Sequence, residues 1–375
     1  MNLDAWFEHR LNEQKNKNIF RALTETSSLI DFCSNDYLGL AQSQPLYLRI
    51  QSKYQQLTHL NGATGSRLLS GNSKYTEEVE QKLATVFKSQ RALILNSGYA
   101  ANVAIYSSIP QKGDTILLDE LAHASIKDGA RLSLAKRFTF RHNDLNDLEA
   151  KLMKASGRIF IGVESIYSMD GDQCPLHELN KLAKKYDAYI ILDEAHSTGV
   201  VGDDGSGLAT SLGIENDIAI RLYTFGKAAG IHGACIAGSS SLIEYIVNFA
   251  RPFIYTTAMS PHCIVSIDCA VDYFIESKPL RNQLKENVTK FLAELSALNN
   301  RTQSDSAIQT LIFSGNDNVK NAASALQRSG FNIRPIVSPT VRVGAERLRI
   351  ILHSFNTADE IVSLTEHLKK LSYAQ

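Results

Sequence analysis

Short apolar runs recur along the chain at 92–95, 116–118, 159–163, 189–192, 218–223 and 234–237, each ending near an acid or a turn. Runs of that length are too short for helices and read as interior strands. Between them lie helix-period patterns. Val79, Leu83, Val86 and Phe87, for example, are spaced i, i+4, i+7, i+8 behind Ser73 as a cap. The alternation predicts an α/β fold with a central, mostly parallel sheet flanked by helices. Ligands should collect in the loops beyond the strand ends.

After about residue 270 the pattern changes to longer helices, with later strands expected at 310–313 and 348–352. This predicts a smaller C-terminal α+β domain. A chain of 375 residues is long for a single core. The expected division is an N-terminal arm over 1–45, a large ligand-binding domain over 46–275 and a small domain over 276–375. No internal repeat and no Pro/Gly/Ser-rich linker marks these boundaries.

Charge and composition narrow the partners. Lys plus Arg and Asp plus Glu both number 39, so the formal net charge is zero, and no basic block interrupts the sequence. Nucleic acid and membrane surfaces are therefore not expected partners. Charged residues break up the apolar residues of the first 18 positions, unlike the apolar core of a signal peptide. No apolar run approaches the roughly 18 residues that span a bilayer. A soluble, cytoplasmic protein is the expectation. Cys33, Cys174, Cys235, Cys263 and Cys269 form no C-x-x-C pair and no metal-ligand spacing with histidine. They read as reduced, mostly buried thiols, and no metal is expected.

Two segments carry the chemistry. In the first, Ile190-Ile191-Leu192 delivers Asp193 and, three residues on, His196 to a strand end. Alone, Asp193 could cap a helix and His196 could be a core histidine. In the second, Lys227 follows Tyr223-Thr224-Phe225-Gly226 and precedes Ala228-Ala229-Gly230. A lysine among small and apolar residues is desolvated, which favours the neutral amine that attacks an aldehyde.

Gly226-Lys227 is not the end of a P-loop. Ala228 stands where Ser or Thr is required, and Arg221 where the first glycine should be. There is also no G-x-G-x-x-G after the first strand. Phosphate binding is expected instead at Asn96-Ser97-Gly98-Tyr99, where a helix start follows the run at 92–95. A lysine for an aldehyde, a carboxylate for a pyridinium nitrogen, and amides with hydroxyls for a phosphate match what pyridoxal phosphate requires.

Over nearly the whole chain the sequence resembles the α-oxoamine synthase family of fold-type I pyridoxal-phosphate enzymes. The landmarks occur in order: Asp31-Phe32-Cys33-Ser34-Asn35-Asp36-Tyr37-Leu38-Gly39, Gly62-Ala63-Thr64-Gly65-Ser66-Arg67, Ser97-Gly98-Tyr99, Ala122-His123-Ala124-Ser125, Ser168-Met169-Asp170-Gly171-Asp172, Asp193-Glu194-Ala195-His196 and Thr224-Phe225-Gly226-Lys227. The resemblance implies decarboxylative condensation of an amino acid, L-alanine being expected, with an acyl thioester of coenzyme A or an acyl carrier protein.

It further implies that Lys227 is the Schiff-base lysine and general base. Asp193 would hold the pyridine nitrogen protonated, His196 and Ser168 would bond near the phenolic oxygen, and His123 would stack on the ring. Gly98, Tyr99 and Thr224 would hold the phosphate, with Thr257 reaching in from the second subunit of a homodimer. Arg349, with Arg347 as runner-up, would pair with the amino-acid carboxylate. Arg21, expected in the N-terminal helix, would bind substrate at the distal end of the acyl chain. Members of the family that use glycine or serine share nearly all these landmarks, and so would a catalytically silent partner subunit, apart from its lysine.

Overall fold

The computed structural model describes residues 2–25, 28–57 and 60–373. By its contacts the chain divides into a larger unit, Asn35–Ser168 with Asp172–Asn282, and a smaller one, Met1–Ser34, Met169–Gly171 and Gln283–Gln375. The smaller unit thus groups the N-terminal residues with the C-terminal ones, where the sequence reading separates an arm over 1–45.

The larger unit is built on a seven-stranded sheet. Its strands are β1 (Arg91–Leu95), β2 (Thr115–Asp119), β3 (Lys136–Phe140), β4 (Ile159–Glu164), β5 (Ala188–Asp193), β6 (Ile220–Thr224) and β7 (Ala234–Gly238). They lie in the order β1-β7-β6-β5-β4-β2-β3. Only β7 runs antiparallel to its neighbours; β6, β5, β4, β2 and β3 pair in parallel. The expected α/β sheet is therefore observed, and each of the six apolar runs lies in or across a strand.

Strand β3 is the addition. Its sequence, Lys-Arg-Phe-Thr-Phe, is charged and exposed except at Phe140, because an edge strand outside the packed layers needs no continuous apolar run.

Alternate side chains of the interior strands serve different helix layers. Ile116, Leu118, Ile191 and Leu222 pack with Ala101, Ile105 and Ile126, whereas Leu117, Ile161, Val163, Ile190 and Leu192 pack with Leu148, Leu179 and Ala183. Burial on both faces explains why these strands are almost uniformly apolar. Helix α1 (Lys74–Val86) starts at Ser73, whose side chain accepts from the amide of Thr76, and buries Val79 and Leu83. Helices α2 (Gly98–Ser108) and α3 (Ala124–Leu132) follow β1 and β2. They pack closely at Gly129, where a Cβ would stand 2.9 Å from the carbonyl oxygen of Asn102.

The smaller unit holds a three-stranded antiparallel sheet of β8 (Ile308–Ile312), β9 (Arg334–Ile336) and β10 (Arg347–Ile351), in the order β9-β10-β8. Helices Asn316–Arg328 and Ala358–Tyr373 belong to the same unit. The N-terminal helix covers only Leu3–Asn16. Asn18, at φ 54°, turns the chain out of it, so Arg21 lies beyond the helix in which the sequence reading put it. Among the described residues no helix is long and apolar enough to cross a membrane.

Candidate active site

Because β2, β4, β5 and β6 run in parallel, their C-terminal ends open on one edge of the sheet, where a doubly wound fold gathers ligands. β5 ends in Asp193, β4 in Glu164 and β6 in Thr224. His123 caps the start of α3, and Ser97 caps α2 by accepting from the amide of Ala100. With Lys227, these residues line a cavity of about 220 Å³ that also includes Asn35, Gly98, Tyr99, Asn102, Ser125, His196 and His232. The cavity lies entirely within the larger unit.

Asp193 is 6 % exposed and both its oxygens are held. Oδ1 accepts from the amide of Ala195 at 2.9 Å and Oδ2 from Nδ2 of Asn102 at 2.7 Å. The neighbouring Glu194 has a different task. It is fully buried and accepts from the amides of Leu208 and Ala209 at 2.9 Å each and from the Ser197 hydroxyl, so it anchors the loop that follows the strand. The Nδ1 atom of His196 lies 2.6 Å from the hydroxyl of buried Tyr37.

Glu164 and Asp193 are register partners on adjacent parallel strands, so two carboxyl groups stand side by side in the wall. Burial first, and the charge of Asp193 second, push the Glu164 carboxyl well above the usual carboxylate range, while Lys227 opposes the rise. Glu164 Oε1 also accepts from the backbone amide of His123 at 2.6 Å. Desolvation of the His123 ring holds it below the ordinary imidazole value; Asp193 works against this and the lysine charge adds to it. Since Nδ1 of His123 accepts from the amide of Ser125 at 3.2 Å, the ring is neutral with its proton on Nε2.

The start of α2 forms a cradle that tolerates no side chain at Gly98. A Cβ there would meet Cγ2 of Thr224 at 2.5 Å. The first amides of a helix have no intrahelical partner and favour an anion, and the Thr224 hydroxyl stands in the same lining. Amine, held carboxylate, neutral imidazole and anion cradle make a donor set that fits pyridoxal phosphate. Tyr99 lines the cavity at this point, but it is half exposed and its hydroxyl donates to Asp128 at 2.5 Å.

The other residues singled out in the sequence lie elsewhere. Ser168 is buried in the turn after β4, outside the cavity lining. Thr257 is exposed, bridges to Ser66 and lines a separate small cavity with Arg67 and Asn96. Arg349 is half-buried on β10 opposite Thr310 and Arg334. Arg347 is buried against Asp170 of the same unit and donates to the carbonyl of Ala345 at 2.8 Å, which commits it to internal pairing. Arg21 is exposed.

Asn102, Ser125, Glu164, His232 and Tyr37 belong to the site or its support and were missed. For Asn102 a signal existed, a lone amide among Ala, Val and Ile in an apolar helix.

Residues 27–367 match the family model for aminotransferase class I and II. The chain is 39 % identical over 364 residues to the 8-amino-7-oxononanoate synthase of Emericella nidulans, covering 91 % of this chain and 88 % of that one. It is 30 % identical to the 8-amino-7-oxononanoate synthase of Francisella tularensis, whose crystal structure superposes with a TM-score of 0.80 over 92 % of this chain and 98 % of that one. A structure of SPT with PLP superposes with a TM-score of 0.91 at 25 % identity, over 100 % and 99 % of the two chains. The architecture is thus that of the fold-type I transferases.

Proposed function

The chain belongs to the class I and II aminotransferase family, and within it we propose that this member joins L-alanine to a pimeloyl thioester. The products are 8-amino-7-oxononanoate, CO2 and the free thiol carrier, which places the step in biotin synthesis. The observation that carries this reading is the cavity in which Lys227, Asp193, His123 and the Gly98 cradle converge, in a chain whose relatives bear that enzyme's name.

Pyridoxal phosphate held here supplies an aldehyde for the amino group and an electron-poor ring that stabilises negative charge at Cα. The chain's own residues do the rest. Lys227 would hold the cofactor's aldehyde, and its Nζ, freed once the amino acid is bound, would take the Cα proton and return one after CO2 has left. Asp193, its two oxygens fixed by Ala195 and Asn102, keeps a proton on the ring nitrogen. The neutral ring of His123 would pack on the cofactor face, and His196, held by Tyr37, would act at the phenolic oxygen, with Ser168 supporting it from outside the cavity lining. Gly98, the amide of Tyr99 and Thr224 hold the phosphate.

Arg349 receives the amino-acid carboxylate as a bidentate pair, and Arg21 the distal carboxylate of the acyl chain. Thr257 acts on the cofactor of a second copy in a homodimer; its exposure and its separation from the cavity lining of its own chain support that role.

A crossed assay tests the proposal. The cofactor-loaded protein is given pimeloyl-CoA or acetyl-CoA with L-alanine, glycine or L-serine, and thiol release and product mass are followed. Pimeloyl-CoA with L-alanine should win by a wide margin, with the acyl-carrier-protein thioester run in parallel to rank the carriers. Faster turnover of acetyl-CoA with glycine would overturn the named reaction while leaving the family intact.

A further inference from the structure

Asn102 is 2 % exposed and enters the cavity wall from α2. Its Nδ2 amino group can only donate, which fixes the direction of both bonds that nitrogen makes. One N–H goes to Asp193 Oδ2 at 2.7 Å and the other to Ser125 Oγ at 3.0 Å. The Ser125 hydroxyl accepts from Asn102, so its own hydrogen is free for His123 Nδ1 at 2.7 Å. One buried side chain therefore orders both the carboxylate at the end of β5 and the imidazole at the start of α3. The link depends on the close passage of α2 against α3 at Gly129. Asn102 Oδ1 has no protein partner, so satisfying that oxygen is not what keeps an asparagine here.

We propose that Asn102 is a positioning residue that locks Asp193 and His123 into one hydrogen-bonded frame, fixing how the nitrogen and the face of a bound pyridine ring are received. This rests on the reading of the cavity as the cofactor site. The charged or titratable groups around the frame are Asp193, Glu164, His123, Lys227, Tyr99, His196 and His232 of the cavity lining, Lys127 and Asp128, whose charges act on His123, and the buried phenol of Tyr106, one helical turn beyond Asn102. None of them can replace a donor aimed at both Asp193 and Ser125.

The test measures pyridoxal-phosphate affinity and the pH titration of the lysine-bound cofactor's absorbance in wild type, Asn102→Leu, Asn102→Asp and Ser125→Ala, with melting of each apoprotein alongside. Loss of a hydrogen bond to a charged group should weaken cofactor binding by about tenfold or more in Asn102→Leu. Ser125→Ala, which breaks only the arm to His123, should lose less. In Asn102→Asp two carboxyl groups face each other and must share a proton. Its affinity, relative to wild type at the same pH, should recover as pH falls from 8 to 6, whereas that of Asn102→Leu should not.

Wild-type affinity and an unshifted titration in Asn102→Leu would overturn the inference. So would a deficit in Asn102→Asp that is flat with pH, or melting changes without either cofactor effect. Absence of a lysine-bound absorbance band in wild type would instead remove the cofactor reading itself.

Discussion

His142 offers the sharpest test of the electrostatics read from this fold. It follows β3 and is clamped between two carboxylates, with Nδ1 2.9 Å from Asp119 Oδ1 and Nε2 2.7 Å from Asp172 Oδ2. Asp119 is fully buried at the end of β2. Burial alone lowers the imidazole pKa, but the bonds to Asp119 and Asp172 outweigh it and push it from 6.5 up to about 9. At about 1.4 kcal/mol per pH unit this gap is worth about 3 kcal/mol.

The folded-state value is raised. The contribution is therefore complete below the unfolded value of 6.5 and disappears as pH rises through about 9. Roughly half remains near pH 8 by the same relation. Glu164, whose carboxyl is also raised, weakens stability over part of the same range as pH rises, so wild type alone would not isolate the histidine.

The measurement is circular-dichroism melting of wild type and His142→Gln from pH 6 to 9.5. The gap in Tm should be widest at pH 6, a few degrees for about 3 kcal/mol in a chain of this size. It should narrow steadily toward pH 9.5, leaving only the pH-independent cost of the substitution. A gap that is constant across the range would refute the clamp as an ionic one and reduce it to packing.

Two further outcomes follow from the cavity. Lys227→Ala should still bind pyridoxal phosphate without the lysine-bound absorbance band, and turnover should fall by at least about 10²–10⁴, the usual worth of a positioned proton carrier; substantial steady-state activity would remove the lysine from its role. Gly98→Ala should weaken cofactor binding by forcing its methyl against Cγ2 of Thr224 at 2.5 Å, and adding Thr224→Ser, which deletes that methyl while keeping the hydroxyl, should restore much of the loss. Equal affinities of the single and double variants would show that the cradle is not the point of contact.

Interior strands buried on both faces leave an unbroken apolar run, which is why β1, β2, β4, β5, β6 and β7 could be read from the chain. The residues that end them, Asp193 and Thr224, came with them. Lys227 was legible for a similar local reason, since a cation among Gly and Ala just after a buried strand needs an explanation. Edge strand β3 was not legible, because nothing packs against most of its side chains. The N-terminal helix stops before Arg21 for a backbone reason, the left-handed Asn18, that helical periodicity does not register.

That Arg347 is committed to an internal ion pair needed the tertiary structure. Arg347 and Arg349 are two residues apart on one strand, hence on one face, and only the position of Asp170 shows the internal pair made by the first. The same holds inside the cavity. Asn102 meets Asp193 across 91 residues of sequence, and Glu164 becomes a raised carboxyl through its burial first and then because β4 lies beside β5 in register, setting it next to Asp193. Local patterning determined which segments are strands, where each ends and which functional groups the ends carry, because burial and backbone conformation act over a few residues. Which groups share a proton, a hydrogen bond or a cavity depends on strand order and helix packing, which set distances between residues far apart in the chain.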